Sequence, residues 1–140
     1  MNTTRRDLAF ALAALSAGVA RAESAPKLGS KVYLYADLKV RQNGENKSRA
    51  VLNGVTHSGY PVEMHITDLA PGQAPHPPHR HIHEEMMLLK NGVLEATING
   101  ETTRMTPGSV VFIGSNDLHG LKNPGPERAE YFVIALGSDT

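Results

Sequence analysis

Apolar residues beyond position 30 fall into short runs that end at turn-forming residues, a pattern typical of β-strands. No stretch of this region has a convincing helical repeat. The pattern predicts strands over Lys31–Val40, Val62–Leu69, Glu84–Lys90, Val93–Ile98, Glu101–Met105, Ser109–Ile113, Leu118–Leu121 and Tyr131–Leu136. Many short strands at close spacing indicate a β-sandwich or a β-barrel.

Turn signals separate these runs. Asn91-Gly92 and Asn99-Gly100 each predict a tight antiparallel hairpin, because both residues of a type I′ turn need positive φ and Asn-Gly adopts it with little strain. Three Pro-Gly pairs, at 71–72, 107–108 and 124–125, predict further turns. The segment Arg41–Gly59 is rich in Asn, Gly, Ser and charge, so we expect a long loop ahead of the barrel.

The N-terminus has the features of an export signal. Arg5 and Arg6 precede an uncharged run, Leu8–Ala20, and Ala20-Arg21-Ala22 provides a small-x-small cleavage site. The run is shorter than the roughly 20 residues that a membrane-spanning helix needs, so we expect no stable membrane insertion. The sequence predicts a signal peptide over 1–22 and a periplasmic protein, exported by the twin-arginine or the general secretory route. A plain N-terminal helix is the alternative.

Composition narrows the classes of function. The 140 residues suffice for one domain, and 14 basic side chains balance 14 acidic ones, so no net charge favours nucleic acid or an anionic membrane. The chain has no cysteine, which excludes disulfides, thiol nucleophiles, zinc–thiolate sites and iron–sulfur clusters. Any bound metal must therefore use nitrogen and oxygen ligands.

Histidines and glutamates crowd the stretch from His76 to Glu85. His79 and His81 are two residues apart, so on a strand both imidazoles face the same side. Glu85 begins the next strand, and His119 lies on a later one that could face the first pair across an antiparallel sheet. Three imidazoles and one carboxylate suit a divalent first-row metal, with one or two positions left for water or substrate.

The remaining histidines have other interpretations. On a continuous strand His83 would face the same side as the first pair, so it competes with Glu85 as the fourth ligand. We interpret His57 and His65 as half-buried polar residues and His76 as part of an exposed loop. No catalytic residue or organic cofactor is assigned, because the inward-facing polar residues of the other strands cannot be identified from the sequence.

Two stretches of the chain resemble the characteristic motifs of the cupin superfamily. The first, His79-x-His81-xxx-Glu85-xxxxxx-Gly92, matches the first motif in spacing. The second is Gly108-xxxxx-Gly114-x-Asn116-xx-His119-xxx-Asn123, with glycine replacing the usual proline at 114 and asparagine the usual glycine at 116. Both replacements are compatible with a turn. The resemblance covers the chain from Tyr60 to Leu136.

The resemblance implies an all-β fold: a double-stranded β-helix, or jelly-roll cupin barrel, over 60–140. An export signal and an N-terminal strand and loop over 23–59 would precede it. It also implies a divalent metal inside the barrel, with iron, manganese, zinc, nickel or copper as candidates. The ligands that it implies are His79, His81, Glu85 and His119. A small single-domain cupin is further expected to form a homodimer.

The charge of such a site favours particular ligands. Three neutral imidazoles and one carboxylate leave a divalent ion with a net charge of about plus one, which favours an anionic or chelating small molecule. Two classes of function remain: a metal-dependent oxidoreductase of dioxygenase type acting on a small oxygen-rich substrate, and a non-catalytic cupin that binds a metal or small ligand. Nucleic acid is not an expected partner, because no helix-turn-helix segment precedes the barrel.

Overall fold

Nine β-strands and one short 3₁₀ turn form the regular structure of residues 24–139, the part of the chain that the computed structural model describes. The predicted signal peptide over 1–22 lies outside the described residues. The 3₁₀ turn is Tyr35–Asp37, and the strands are β1 (Val40–Asn43), β2 (Asn46–Val55), β3 (Pro61–Leu69), β4 (Glu84–Asn91), β5 (Leu94–Ile98), β6 (Glu101–Met105), β7 (Val110–Ile113), β8 (His119–Lys122) and β9 (Ala129–Leu136). Between residues 24 and 139, no helix has the length and apolar character needed to cross a membrane.

The strands form two sheets of unequal width. One has six strands in the order β1-β2-β3-β9-β4-β7, the other has three in the order β6-β5-β8, and all the paired strands are antiparallel. A single apolar core joins them, with Leu69, Met87 and Leu89 from the wide sheet in one cluster with Leu94 and Met105 from the narrow sheet. The predicted all-β, double-sheet fold is confirmed.

Strand alternation determines which side chains enter the space between the sheets. On β4, Met87 and Leu89 are buried, whereas Leu88 is exposed. Because successive strand residues point to opposite faces, Glu85 lies on the same inner face as Met87. The first half of β4 therefore directs a carboxylate into the barrel.

Two predictions for the segment ahead of the barrel are wrong. Lys31–Val40 is not a strand: it contains the 3₁₀ turn, and a strand begins only at its last residue, Val40. Val32 and Leu34 are 79% and 59% exposed, so the apolar residues that suggested a strand do not pack against the core. The predicted loop Arg41–Gly59 contains β1 and the long strand β2, which pairs with β3 along most of its length. β2 was not predicted because its sequence is polar. Most of its side chains are only partly buried, so the apolar alternation that indicates a strand is absent.

The two Asn-Gly predictions have different outcomes. Asn99 and Gly100 have φ values of 48° and 92° and join β5 to β6 in a hairpin, as predicted. Asn91-Gly92 is not a hairpin turn, because only Gly92 has positive φ and the strands on either side, β4 and β5, belong to different sheets. A Cβ atom at Gly92 would lie 2.4 Å from the carbonyl oxygen of Arg128, so close backbone approach explains this glycine.

A polar cluster fixes the leading segment to the outer side of the wide sheet. Glu130 on β9 accepts hydrogen bonds of 2.5 Å from both the Tyr35 hydroxyl and the Lys90 ammonium group. The cations of Lys90 and Arg49 lie over the Tyr35 ring, 4.7 and 4.6 Å from its centroid. Burial alone would raise the pKa of Glu130, but the hydrogen bonds from Lys90 and Tyr35 outweigh it and hold that pKa below its ordinary value.

Replacing Glu130 by glutamine should therefore lower the free energy of unfolding by about 1 kcal/mol at neutral pH. Since the folded-state pKa is the lower one, this contribution is fully present above the ordinary value of 4.5 and is lost as pH falls through the folded-state value. Urea unfolding of wild type and Glu130→Gln, at neutral pH and about two pH units below the ordinary value, measures it. The exposed Glu101→Gln is the control, and an equal Glu130→Gln effect at both pH values would contradict the assignment.

Candidate metal centre

A pair of backbone hydrogen bonds brings His79 and His119 together. The His79 amide donates to the His119 carbonyl at 3.0 Å, and the His119 amide donates to the His79 carbonyl at 3.1 Å. His119 begins β8 of the narrow sheet, whereas His79 lies on the segment that leads into β4 of the wide sheet. Gly120 permits the approach, because a Cβ atom there would lie 3.2 Å from Pro78 Cγ. The two predicted motifs therefore meet at one end of the barrel.

Three imidazoles converge at this point. One ring nitrogen from each of His79, His81 and His119 lies within 4.8 Å of the other two, a spacing that could hold a metal ion. The His119 side chain is 2% exposed, and the other two are partly buried. Burial lowers the pKa of His79, and the three neighbouring imidazoles lower it further, so its neutral form is favoured.

Hydrogen bonds orient two of these rings. Nδ1 of His81 lies 2.7 Å from the His83 carbonyl, and Nδ1 of His119 lies 2.9 Å from the Asp117 carbonyl. A carbonyl only accepts, so each Nδ1 carries the hydrogen and each Nε2 is left with its lone pair. Both Nε2 atoms, and Nδ1 of His79, are buried without a hydrogen-bond partner. Buried polar atoms of this kind need a partner, and the three fit a metal ion.

The Glu85 carboxylate reaches the same point from β4. Its Oε2 lies 3.4 Å from His81 Nε2 and 3.6 Å from His119 Nε2. The structure thus brings together all four residues predicted from the sequence as ligands. Their role as ligands stays a prediction.

His83, the competing candidate for fourth ligand, has a different environment. Its ring stacks on His81 with centroids 3.7 Å apart, its Nδ1 lies 2.8 Å from Asp139 Oδ1 and its Nε2 lies 3.3 Å from Glu85 Oε1. Burial would lower the pKa of His83, but the hydrogen bonds with Asp139 and Glu85 outweigh it and raise that pKa. Ring nitrogens of His81 and His83, with a carboxylate oxygen of the exposed Asp139, could form a second group of ligands. Because both His83 nitrogens already have partners, the geometry favours Glu85.

A cavity of about 160 Å³ lies beside the cluster. His119 and Glu85 line it together with His65, Thr67 and Tyr131 from β3 and β9. Burial raises the pKa of Tyr131 far above its usual range, although a hydrogen bond with Thr67 acts the other way, so the phenol stays protonated. It can therefore donate a hydrogen bond to a ligand but cannot act as a base at neutral pH.

The sequence interpretation missed part of this lining. His65 is half-buried, as predicted, but it also lines the cavity, and its two-residue spacing from Thr67 on a strand indicates that both face inward. No sequence pattern indicates that Asp139 lies at the site, because it belongs to an irregular segment after β9. His76 is exposed, as expected, and its ring contacts that of His79 edge-on, with centroids 4.1 Å apart. His57 is exposed, so the prediction that it is half-buried is wrong: it lies in the turn between β2 and β3. A larger hollow of about 480 Å³ near β6 and β7 contains none of the histidines.

Comparisons with solved structures find the same fold at low sequence identity. KdgF from a Halomonas species has a TM-score of 0.67 at 15% identity, covering 79% of this chain and 97% of that one. An RmlC-like cupin from Shewanella frigidimarina has 0.66 at 14% identity, covering 79% and 93%. A structure described as a predicted oxalate decarboxylase from Thermotoga maritima has 0.64 at 16% identity, covering 77% and 100%. These similarities establish the fold alone.

The family comparison is more specific. A search of curated proteins found no match to this chain. The family model of the cupin domain matches residues 65–135, about half of the 140 residues. The matched region begins on β3 and ends on β9, so it contains all four candidate ligands and the cavity beside them. On this match and on its two-sheet fold, the chain belongs to the cupin superfamily as a small single-domain member.

Proposed function

We propose that the protein binds one divalent first-row metal ion through His79, His81, Glu85 and His119. We further propose that it is a metal-dependent oxidoreductase of dioxygenase type acting on a small oxygen-rich substrate. One observation carries the proposal: buried ring nitrogens without partners converge, with a carboxylate, beside a cavity. The donor set of imidazole nitrogen and carboxylate oxygen suits iron, manganese, nickel, copper or zinc.

The residues around the ligands prepare the site. The carbonyls of His83 and Asp117 hold the imidazoles of His81 and His119 in the tautomer that a metal requires. His83 lies between the carboxylates of Glu85 and Asp139 and so orients Glu85. When bound, the ion would supply Lewis acidity and, for iron, manganese or copper, one-electron chemistry with dioxygen.

The cavity sets limits on the substrate. At about 160 Å³ it is smaller than the roughly 300–1,000 Å³ of pockets that hold drug-sized ligands, so a small molecule or one end of a longer one fits. The site charge of about plus one favours a carboxylate, enolate or vicinal diol. The phenol of Tyr131 offers that ligand a hydrogen bond. In a dioxygenase reaction both atoms of dioxygen enter the substrate, which itself supplies the electrons, so no external reductant is consumed.

We also propose that the protein is exported and acts as a homodimer. The arginine pair and uncharged run within 1–22 support export. Apolar side chains on the outer side of the wide sheet support the dimer: Val110 and Phe112 on β7 are 59% and 56% exposed, and Leu88 on β4 lies opposite Val110. Such patches are typical of protein interfaces.

Replacing His119 by alanine should reduce metal content from about one ion per chain to a tenth or less, because one of the proposed ligands is lost. Elemental analysis of protein isolated from its native host without added metal measures this. Circular dichroism shows whether the variant is folded. His57→Ala, at an exposed histidine, is the matched control and should retain full occupancy. Full metal occupancy in folded His119→Ala would overturn the four-ligand site.

A second pair of variants separates the two candidates for fourth ligand. Glu85→Ala should lose most of the metal, whereas His83→Ala should weaken metal affinity by about tenfold to a hundredfold, as expected for a residue that orients a ligand. Titration of the metal-free variants with manganese or nickel measures both affinities. The reverse order would assign the all-histidine set His79, His81, His83 and His119.

Activity is tested by oxygen consumption with a panel of small hydroxy acids and enediols. We expect the protein to consume one molecule of dioxygen for each molecule of one substrate in the panel. This activity should be lost in His119→Ala and after treatment with a chelator. His57→Ala should keep it. Ligand binding by the metal-loaded protein, with no oxygen uptake and no product, would instead identify a non-catalytic binding cupin.

A further inference from the structure

Another hollow, of about 450 Å³, opens on the inner side of β1, β2 and β3. It exists because the wide sheet has six strands and the narrow sheet only three, so the narrow sheet cannot cover the whole inner face. Its lining residues are Lys39, Val40, Arg41, Ser48, Ala50, Glu63 and His65. His65 also lines the cavity beside the candidate metal centre. The two spaces therefore adjoin at one side chain.

The register of the strands connects the metal cavity to this groove by a row of polar residues. Arg41 on β1 lies opposite Ser48 on β2, Ser48 lies opposite Thr67 on β3, and Thr67 lies opposite Tyr131 on β9. Directly opposite residues in antiparallel strands point to the same face. With strands about 4.8 Å apart, three steps place the Arg41 backbone about 14 Å from that of Tyr131.

The groove contains cations that are not paired. Within residues 24–139, neither Lys39 nor Arg41 makes an ion pair or side-chain hydrogen bond, whereas Arg128 and Lys90 pair with Asp68 and Glu130. The Glu63 carboxylate in the groove is already engaged, with its two oxygens 3.1 and 3.0 Å from His65 Nδ1. A guanidinium and an ammonium group therefore face the groove and are free to bind an anion.

We propose that this groove is the second half of the substrate site, where Arg41 and Lys39 bind a carboxylate at the far end of the substrate. This inference rests on the proposed function, because the near end of the same molecule carries the chelating oxygens that reach the metal centre. The substrate is then an elongated acid whose chelating group and second carboxylate lie within about 14 Å of each other, the span of the three strand steps. The negative charge of Glu63 in the groove disfavours a dianion such as phosphate and favours a monoanion.

Two probes that differ only at the far end test the proposal on the metal-loaded full chain. 2-Hydroxydecanedioate and 2-hydroxydecanoate share the chelating hydroxy acid, but only the first has a distal carboxylate. Isothermal titration calorimetry at low ionic strength should show about tenfold tighter binding of the diacid by the wild type. Arg41→Gln should abolish this preference and leave metal content and affinity for the monoacid unchanged. Arg104→Gln, at an exposed arginine on β6, is the matched control and should keep the preference.

The outcomes separate this inference from the metal site. Equal affinity for the two acids in the wild type, or a preference for the diacid that survives in Arg41→Gln, would overturn the proposed role of the groove. Metal-dependent binding of the monoacid would continue in either case. A chain that takes up no metal and binds neither acid would overturn the proposed function, and the groove with it.

Discussion

The two hydrogen bonds between the backbones of His79 and His119 are the link on which the site depends. They connect the segment leading into the wide sheet with β8, an edge strand of the narrow sheet, so they hold one end of the barrel together. A third bond, from the Asn116 amide to the His81 carbonyl at 2.8 Å, strengthens the same junction. Because the imidazoles project from this paired backbone, their spacing follows from the fold and not from side-chain packing alone.

The chemistry of the site follows from what this junction buries. A polar atom left without a partner in the interior costs about 1–3 kcal/mol, and the cluster contains three such nitrogens within residues 24–139. The low pKa of His79 shows that burial disfavours protonation at this position. A neutral imidazole with a free lone pair is the form that binds a metal, so the burial that leaves these nitrogens without partners also favours metal binding.

Much of the candidate site could be predicted from the sequence, because ligand spacing is local and strand alternation is simple. His79, His81, Glu85 and His119 come together as the motifs indicated, and strands β3 to β9 lie near their predicted positions. The strand β2 could not be predicted, since the missing half of the narrow sheet leaves its side chains partly solvated and removes the apolar signal. The same uncovered region contains the groove, so the strand prediction failed where the two sheets differ in width.

Asp139 and His65 illustrate a different limit. Asp139 acts on His83 across a long sequence separation, and nothing near either residue indicates that they meet. The spacing of His65 from Thr67 predicts that both face inward, but which cavity His65 lines depends on how β3 pairs with β2 and β9, and this register is not visible in the sequence around His65.

The unequal width of the two sheets also bears on the rate at which a ligand enters. A closed barrel must open before a ligand reaches its interior, and lid motions of that kind take microseconds to milliseconds in many enzymes. Here the hollow on the inner face of β1, β2 and β3 is open to solvent, and His65 lines both it and the metal cavity. A molecule approaching from this side meets a β-sheet surface and has one side chain, His65, between it and the metal cavity.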